Sequence, residues 1–206
     1  ACSDCPQRKF LSQVKKIAHK NGSLFILDEV ISGFRFALGG GGEYFGVDPD
    51  LATFGKGISN GMPLGILVGK AKYMKEFNKV FLSSTYAPET LTLAATSSVI
   101  DFYLKKNVIK SLWLKGEYIQ KNFQKIIDKY QINKYVSLAG YPVRLMVNTH
   151  NKNGVQDHIL ATLYQQEMFR NGILCFSGVL MLSYTLTKAD MNYIIKSFDK
   201  TCNVIS

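Results

Sequence analysis

The 206-residue chain is poor in cysteine, histidine and tryptophan, and it sets 25 basic residues against only 15 acidic ones. The first two shortages each remove a class of chemistry. Its four cysteines, Cys2, Cys5, Cys175 and Cys202, give one C-x-x-C pair with neither a second pair nor a histidine pair to complete a zinc site. His19, His150 and His158 are scattered along the chain. The pattern predicts reduced thiols and no metal centre. No run approaches the roughly 18 uninterrupted apolar residues of a membrane span, and the opening "ACSDCPQRKF" lacks the basic-then-apolar order of a secretory leader. No methionine opens the chain, so it reads as a processed or partial product, with the cytoplasm as the expected compartment.

The shortage of acid leaves a formal net charge of +10, which raises the question of nucleic acid. The placement of the lysines argues otherwise. In "VIKSLWLKGEYIQKNFQKIIDKYQ", Ile109, Leu112, Ile119, Phe123, Ile126 and Tyr130 recur at helical spacing, while Lys121, Lys125 and Lys129 repeat every four residues on another face. That is the pattern of a helix with one packed and one solvated side. No zinc-finger, RNP-type or arginine-rich motif is present. The expectation is a chain with neither a nucleic-acid nor a membrane partner.

What the chain does have is apolar content, 47% of its residues, enough for a globular core. "QRKFLSQVKKIAHKNGS" reads as an amphipathic helix stopped at Asn21-Gly22. "LFIL" follows as a short buried strand that ends abruptly at Asp28-Glu29. A buried strand after a helix predicts an α/β layer with a parallel sheet. Gly39 to Gly42 read as a flexible loop, "GILVG" as a second strand and "VFLSST" as a third. A helix is predicted from about Pro88 to Lys105, followed by the lysine-faced helix. Beyond residue 133 come two strands in "YVSLAGYPVRLMVN", a helix ending at Gly172, two more strands in "ILCFSGVLMLSYT", and a closing helix with Thr187 as its N-cap. The resulting division is an α/β part over 1–107, a connecting helix over 108–132 and a small α+β part over 133–206. Three short strands make a poor sheet with open edges, so further strands are expected from elsewhere.

Two residues stand out chemically. Asp28 sits just past the carboxyl end of a buried strand, where open α/β sheets place their ligand crevice. Taken alone, it is equally a cap or a salt-bridged structural acid. Lys56 lies in "FGKGISNG", which fits neither the phosphate-loop template nor G-x-G-x-x-G. Glycines on both sides let backbone approach a planar cofactor closely, and a partly desolvated amine there suits Schiff-base formation. In isolation, a solvent-facing turn lysine is the plainer reading.

Together, "LFILDEVISGFR" and, after the glycine run, "GVDPDLATFGKGISNGMPLG" closely resemble the class III aminotransferases, and in particular their glutamate-1-semialdehyde 2,1-aminomutase-like branch. The resemblance runs through nearly the whole chain. It implies the C-terminal part of a fold-type-I large domain, dependent on pyridoxal 5'-phosphate (PLP), plus a small α+β C-terminal domain. It assigns Lys56 to the Schiff base, Asp28 to the cofactor's protonated pyridine nitrogen and Val30 to the face of its ring. In "FLSSTYAPETLTLAA", Thr85 falls where the family places a threonine on the phosphate of the neighbouring subunit's cofactor. Ser84 is the weaker candidate beside it. A homodimer and a small amino-compound substrate are implied.

The chain departs from the family in two places, with Leu186 where a histidine is common and Asn60-Gly61-Met62-Pro63 after the lysine. The family's Ser-Gly-(Ser/Thr)-Glu-Ala-type phosphate cradle and its ring-stacking aromatic are not found. The expected activity is amino-group transfer. The competing reading is a catalytically silent fragment or interaction module that keeps the surface of the fold without its complete site.

Overall fold

Helix α1 (Phe10–Lys20) forms where Phe10, Val14 and Ile17 recur at helical spacing, and it stops at Asn21, as the Asn-Gly pair predicts. The computed structural model describes residues 9–81 and 89–206. Two compact units divide the chain, one ending at Ile109 and the other running from Lys110 to Ser206.

In the first unit, β1 (Ile26–Asp28) leads through a turn-rich segment to the short helix α2 (Gly40–Phe45). The glycine run is therefore not a flexible loop: Gly40, Gly41 and Gly42 are buried helical residues. Strand β2 (Leu51–Phe54) lies parallel to β1, pairing Ile26 with Leu51 and Asp28 with Thr53. A 3-10 turn (Lys56–Ile58) follows, and β3 (Ile66–Gly69) returns antiparallel to β2. The sheet order is β1-β2-β3, so the expected parallel sheet is mixed. Its third strand is not in "VFLSST". Helix α3 (Ala71–Met74) and a further 3-10 turn lead there, Val80 and Phe81 lie outside any strand, and the remainder falls outside the described residues. Helix α4 (Thr90–Lys105) is capped by the Glu89 carboxylate, which accepts from the backbone N–H groups of Leu91 and Thr92.

Helix α5 (Val108–Lys129) has the two faces its spacing predicts. Leu112, Ile119, Phe123 and Ile126 are buried, and Lys121, Lys125 and Lys129 are exposed. In the second unit, β4 (Val136–Tyr141) and β5 (Arg144–Thr149) form a hairpin, followed by α6 (His158–Arg170), the two-residue β6 (Val179–Leu180) and α7 (Lys188–Ile205). The hairpin packs beside β6 in the order β4-β5-β6. "ILCFSGVLMLSYT" thus gives one short strand instead of two. The core centres on Phe123 of α5 stacked on Phe198 of α7, with centroids 3.7 Å apart and planes 6° apart, and Tyr164 of α6 meets Phe198 edge-on. Thr187 and Asp190 form a reciprocal capping box at the start of α7.

Candidate functional site

The parallel pairing of β1 and β2 decides where the chemistry gathers. Asp28 is the last residue of β1, and Lys56 comes two residues after the end of β2, so both stand at the carboxyl ends of neighbouring parallel strands. That is the edge of an α/β sheet where ligands bind. The sequence places Asp28 at a strand end, and β1 ends at Asp28.

Asp28 is exposed, not buried. Its Oδ1 accepts the backbone N–H of Val30 at 3.0 Å and the Thr53 hydroxyl at 3.3 Å. Lys56 has a φ of 46°, in the left-handed region that non-glycine residues rarely occupy, and Asn60 beside it has a φ of 47°. Its turn is tied by N–H donation from Ile58 to the Gly55 carbonyl and from Asn60 to the Lys56 carbonyl. Ser59 is buried beneath the turn and donates its hydroxyl to the Met62 carbonyl at 2.6 Å. The Lys56 side chain is exposed, so the described residues do not supply the desolvation that the glycine turn suggested. Among the described residues no ion pair joins Lys56 to Asp28.

Val30 stands where the turn needs a wall. A Cβ at Gly55 would meet the Val30 methyls at 3.4 and 3.7 Å, so this side chain packs directly beside the residue that precedes Lys56. Helix α4 also packs against the turn. Thr85 and Ser84 lie outside the described residues. At the helix start after them, Glu89 takes the N–H groups of both Leu91 and Thr92.

Two carboxylates that the sequence reading passed over turn out to build the frame. Glu29 is 3% exposed, and its carboxylate accepts the N–H groups of Gly41 at 2.8 Å and Gly42 at 2.7 Å, together with the Ser32 hydroxyl. Its only signals in the sequence are the adjacent Asp28 and the distant glycine run. Asp50 is 1% exposed and accepts from the Phe25 N–H at 2.9 Å, Lys70 Nζ at 2.9 Å and His19 Nε2 at 2.6 Å. The Phe25 N–H first, then Lys70 and His19, hold this carboxyl well below the usual carboxylate range. Asp50 anchors the amino end of β2, opposite to Asp28 and Lys56.

Among the described residues, no group of three or more His, Cys, Asp or Glu could hold a metal ion, and no helix is long and apolar enough to cross a membrane. Cys175 and Cys202 are buried free thiols, and burial pushes Cys202 up to about 12. A thiol so placed is a packing residue.

Comparison with known proteins adds the following. A family described as aminotransferase class-III matches residues 3–201. The chain is 32% identical over 208 residues to a glutamate-1-semialdehyde 2,1-aminomutase of Methanosphaera stadtmanae, covering 97% of this chain and 48% of that protein. It is 31% identical over 169 residues to a 3-aminobutyryl-CoA aminotransferase of Cloacimonas acidaminovorans, covering 82% of this chain and 40% of that protein. Among solved structures, an S-selective transaminase from an Arthrobacter species with alanine bound superposes with a TM-score of 0.85 at 21% identity, covering 98% of this chain and 48% of its own. The PLP internal aldimine form of the FumI protein from Sphingopyxis superposes with a TM-score of 0.83 at 18% identity, covering 97% and 47%. The chain spans about half the length of the curated relatives it matches.

Proposed function

Since the chain belongs to the class III aminotransferase family, we propose that it carries the lysine half of a PLP-dependent enzyme of amino-group transfer, of the aminotransferase or aminomutase kind. The observation that carries this reading is the placement of Asp28 and Lys56 at the ends of two adjacent parallel strands, with no ion pair between them. An amine with no ion pair among the described residues and a half-engaged carboxylate fit a cofactor that offers a carbonyl at one end and a basic ring nitrogen at the other. The half-buried apolar methyls of Val30 beside Gly55 fit its planar ring. PLP, when bound, supplies an electron sink for the pair left on a substrate carbon as that carbon loses its proton.

The chain's own residues then have distinct tasks. Lys56 Nζ would hold the cofactor covalently and, as a free amine, would take a proton from the substrate carbon and return it elsewhere on the molecule. Asp28, through the oxygen that accepts from neither Val30 nor Thr53, would hold the ring nitrogen. Val30 would pack on one ring face and keep water from it. Thr85, with Ser84 as the weaker alternative, is proposed for the phosphate. The family resemblance at Thr85 extends the proposal to a homodimer, and to a small amino compound as substrate.

The test is covalent. Full-length protein incubated with PLP and then reduced with borohydride is expected to carry one pyridoxyl group, on the peptide containing Lys56, and none in Lys56→Ala. Stoichiometric label elsewhere, or label undiminished in Lys56→Ala, overturns the assignment. A second reading is favoured by the half-length match: the 206-residue chain by itself is catalytically silent. It predicts label in the full-length protein and none in the isolated chain.

A further inference from the structure

We infer that Thr53 is the positioning residue for Asp28, and that its hydroxyl sets which oxygen of that carboxylate is left to face a ligand. The inference rests on the proposed role of Asp28 and adds a residue to which neither the motif nor the family comparison assigns a role.

The geometry is local and specific. Thr53 is the register partner of Asp28 across the parallel β1–β2 pair. Its Oγ1 donates to Asp28 Oδ1 at 3.3 Å, and the Val30 N–H donates to the same oxygen at 3.0 Å. One carboxylate oxygen is therefore doubly engaged from two directions, one donor on its own strand and one on the neighbouring strand. Two donors on one oxygen fix the plane of the carboxylate and turn the other oxygen outward. The backbone around the pair is equally constrained. The Glu29 N–H donates to the Thr53 carbonyl at 2.8 Å, and the Glu29 side chain is locked onto Gly41 and Gly42. Thr53 itself is β-branched, so its χ1 has few alternatives in a strand.

Thr53→Val keeps shape and strand propensity and removes only the hydroxyl, whereas Thr53→Ser keeps the hydroxyl. In full-length protein, Thr53→Val is expected to weaken PLP affinity about fivefold, the worth of one hydrogen bond of this kind. The midpoint of the pH-dependent visible absorbance of the loaded protein should move to higher pH, because a less firmly held ring proton leaves the Lys56 nitrogen more basic. Thr53→Ser is expected to restore both. At saturating PLP, borohydride should still label Lys56 fully in Thr53→Val, which separates a positioning defect from loss of the attachment site. Unchanged affinity and absorbance midpoint in Thr53→Val, or failure of Thr53→Ser to restore them, overturns the role of Thr53 while leaving Lys56 in place. Absence of label in the unsubstituted protein overturns both.

Discussion

At the scale of single residues, Asp50 illustrates how this unit holds a charge it cannot hydrate. Its carboxylate is surrounded by the Phe25 N–H, Lys70 and His19, which together keep it ionised at a pH where a free aspartate would protonate. The folded-state pKa is depressed, so the folded protein releases this proton more readily than the unfolded chain does. The stabilisation is complete above the ordinary aspartate pKa of about 4 and is lost as pH falls toward the folded value. Thermal unfolding followed from pH 7 to pH 2.5 is expected to show a steep acid limb that Asp50→Asn flattens. At pH 7 the same substitution should cost on the order of 2 kcal/mol. Parallel curves for the two proteins would show that the acid limb arises elsewhere. The residues of the site divide on the same physical ground. The strand-end placement of Asp28 and the glycine turn of Lys56 were legible because a short local motif carries them. Asp50 was not, because its partners lie 31 and 20 residues away and "DPD" by itself resembles a solvated turn. Glu29 was hidden for a similar reason: its partners are backbone N–H groups, which carry no side-chain signature.

Among the elements, α2 shows a glycine run acting as a socket. Gly40 has a φ of 83°, and a Cβ there would fall on the Glu29 carboxylate, so the residue is constrained both by its backbone and by its neighbour. Gly46, which ends the same helix, has a φ of 69° with open space around it. Both should lose stability on substitution by alanine, but unequally. Gly46→Ala carries only the left-handed penalty, about 1–2 kcal/mol. Gly40→Ala adds displacement of a buried, hydrogen-bonded carboxylate and should exceed it by at least about 1 kcal/mol. Urea unfolding at constant m-value measures the difference, and equal losses would mean that the contact with Glu29 is not what constrains Gly40. Helices α5 and α7 were legible because the apolar period of the one and the Thr187 cap of the other are self-contained. The segment after α6 was not. Leu174 and Phe176 form an apolar run that resembles a strand, yet they are 90% and 80% exposed, and only Val179–Leu180 joins the sheet. Strand identity depends on a neighbour that no local window contains.

For the molecule as a whole, the apolar surface of the first unit is the feature to account for. Among the described residues, β1 and β3 are the outer strands of its sheet, and Ile26 and Val68 on them are 53% and 44% exposed. A groove of about 620 Å³ runs over Ala52, Phe54 and Val68 toward α2. Phe81, Leu91 and Leu104 add further exposed apolar side chains. Open strand edges flanked by such surface are templates for unwanted pairing. That the sheet would be short and open-edged was legible in the sequence, but its central strand β2 was not, since "LFIL", "GILVG" and "VFLSST" were the strands expected. What the sequence could not supply was the mixed direction of the strands, which follows from the turn after Lys56 bringing β3 back along β2. The 206-residue chain, about half as long as its relatives, should therefore behave as a sheet with uncovered sides. It is expected to bind a hydrophobic fluorescent dye at 25 °C while keeping native far-UV circular dichroism, and to scatter light increasingly with concentration. Replacing Ile26 and Val68 by threonine keeps the strand-compatible branching and removes apolar area from both edges. That double variant should show lower dye fluorescence and less scattering at an unchanged circular dichroism spectrum. If dye binding and scattering in the parent chain are negligible, or if the variant loses structure instead of surface, then the edges are protected by contacts within the chain and the open-sheet reading fails.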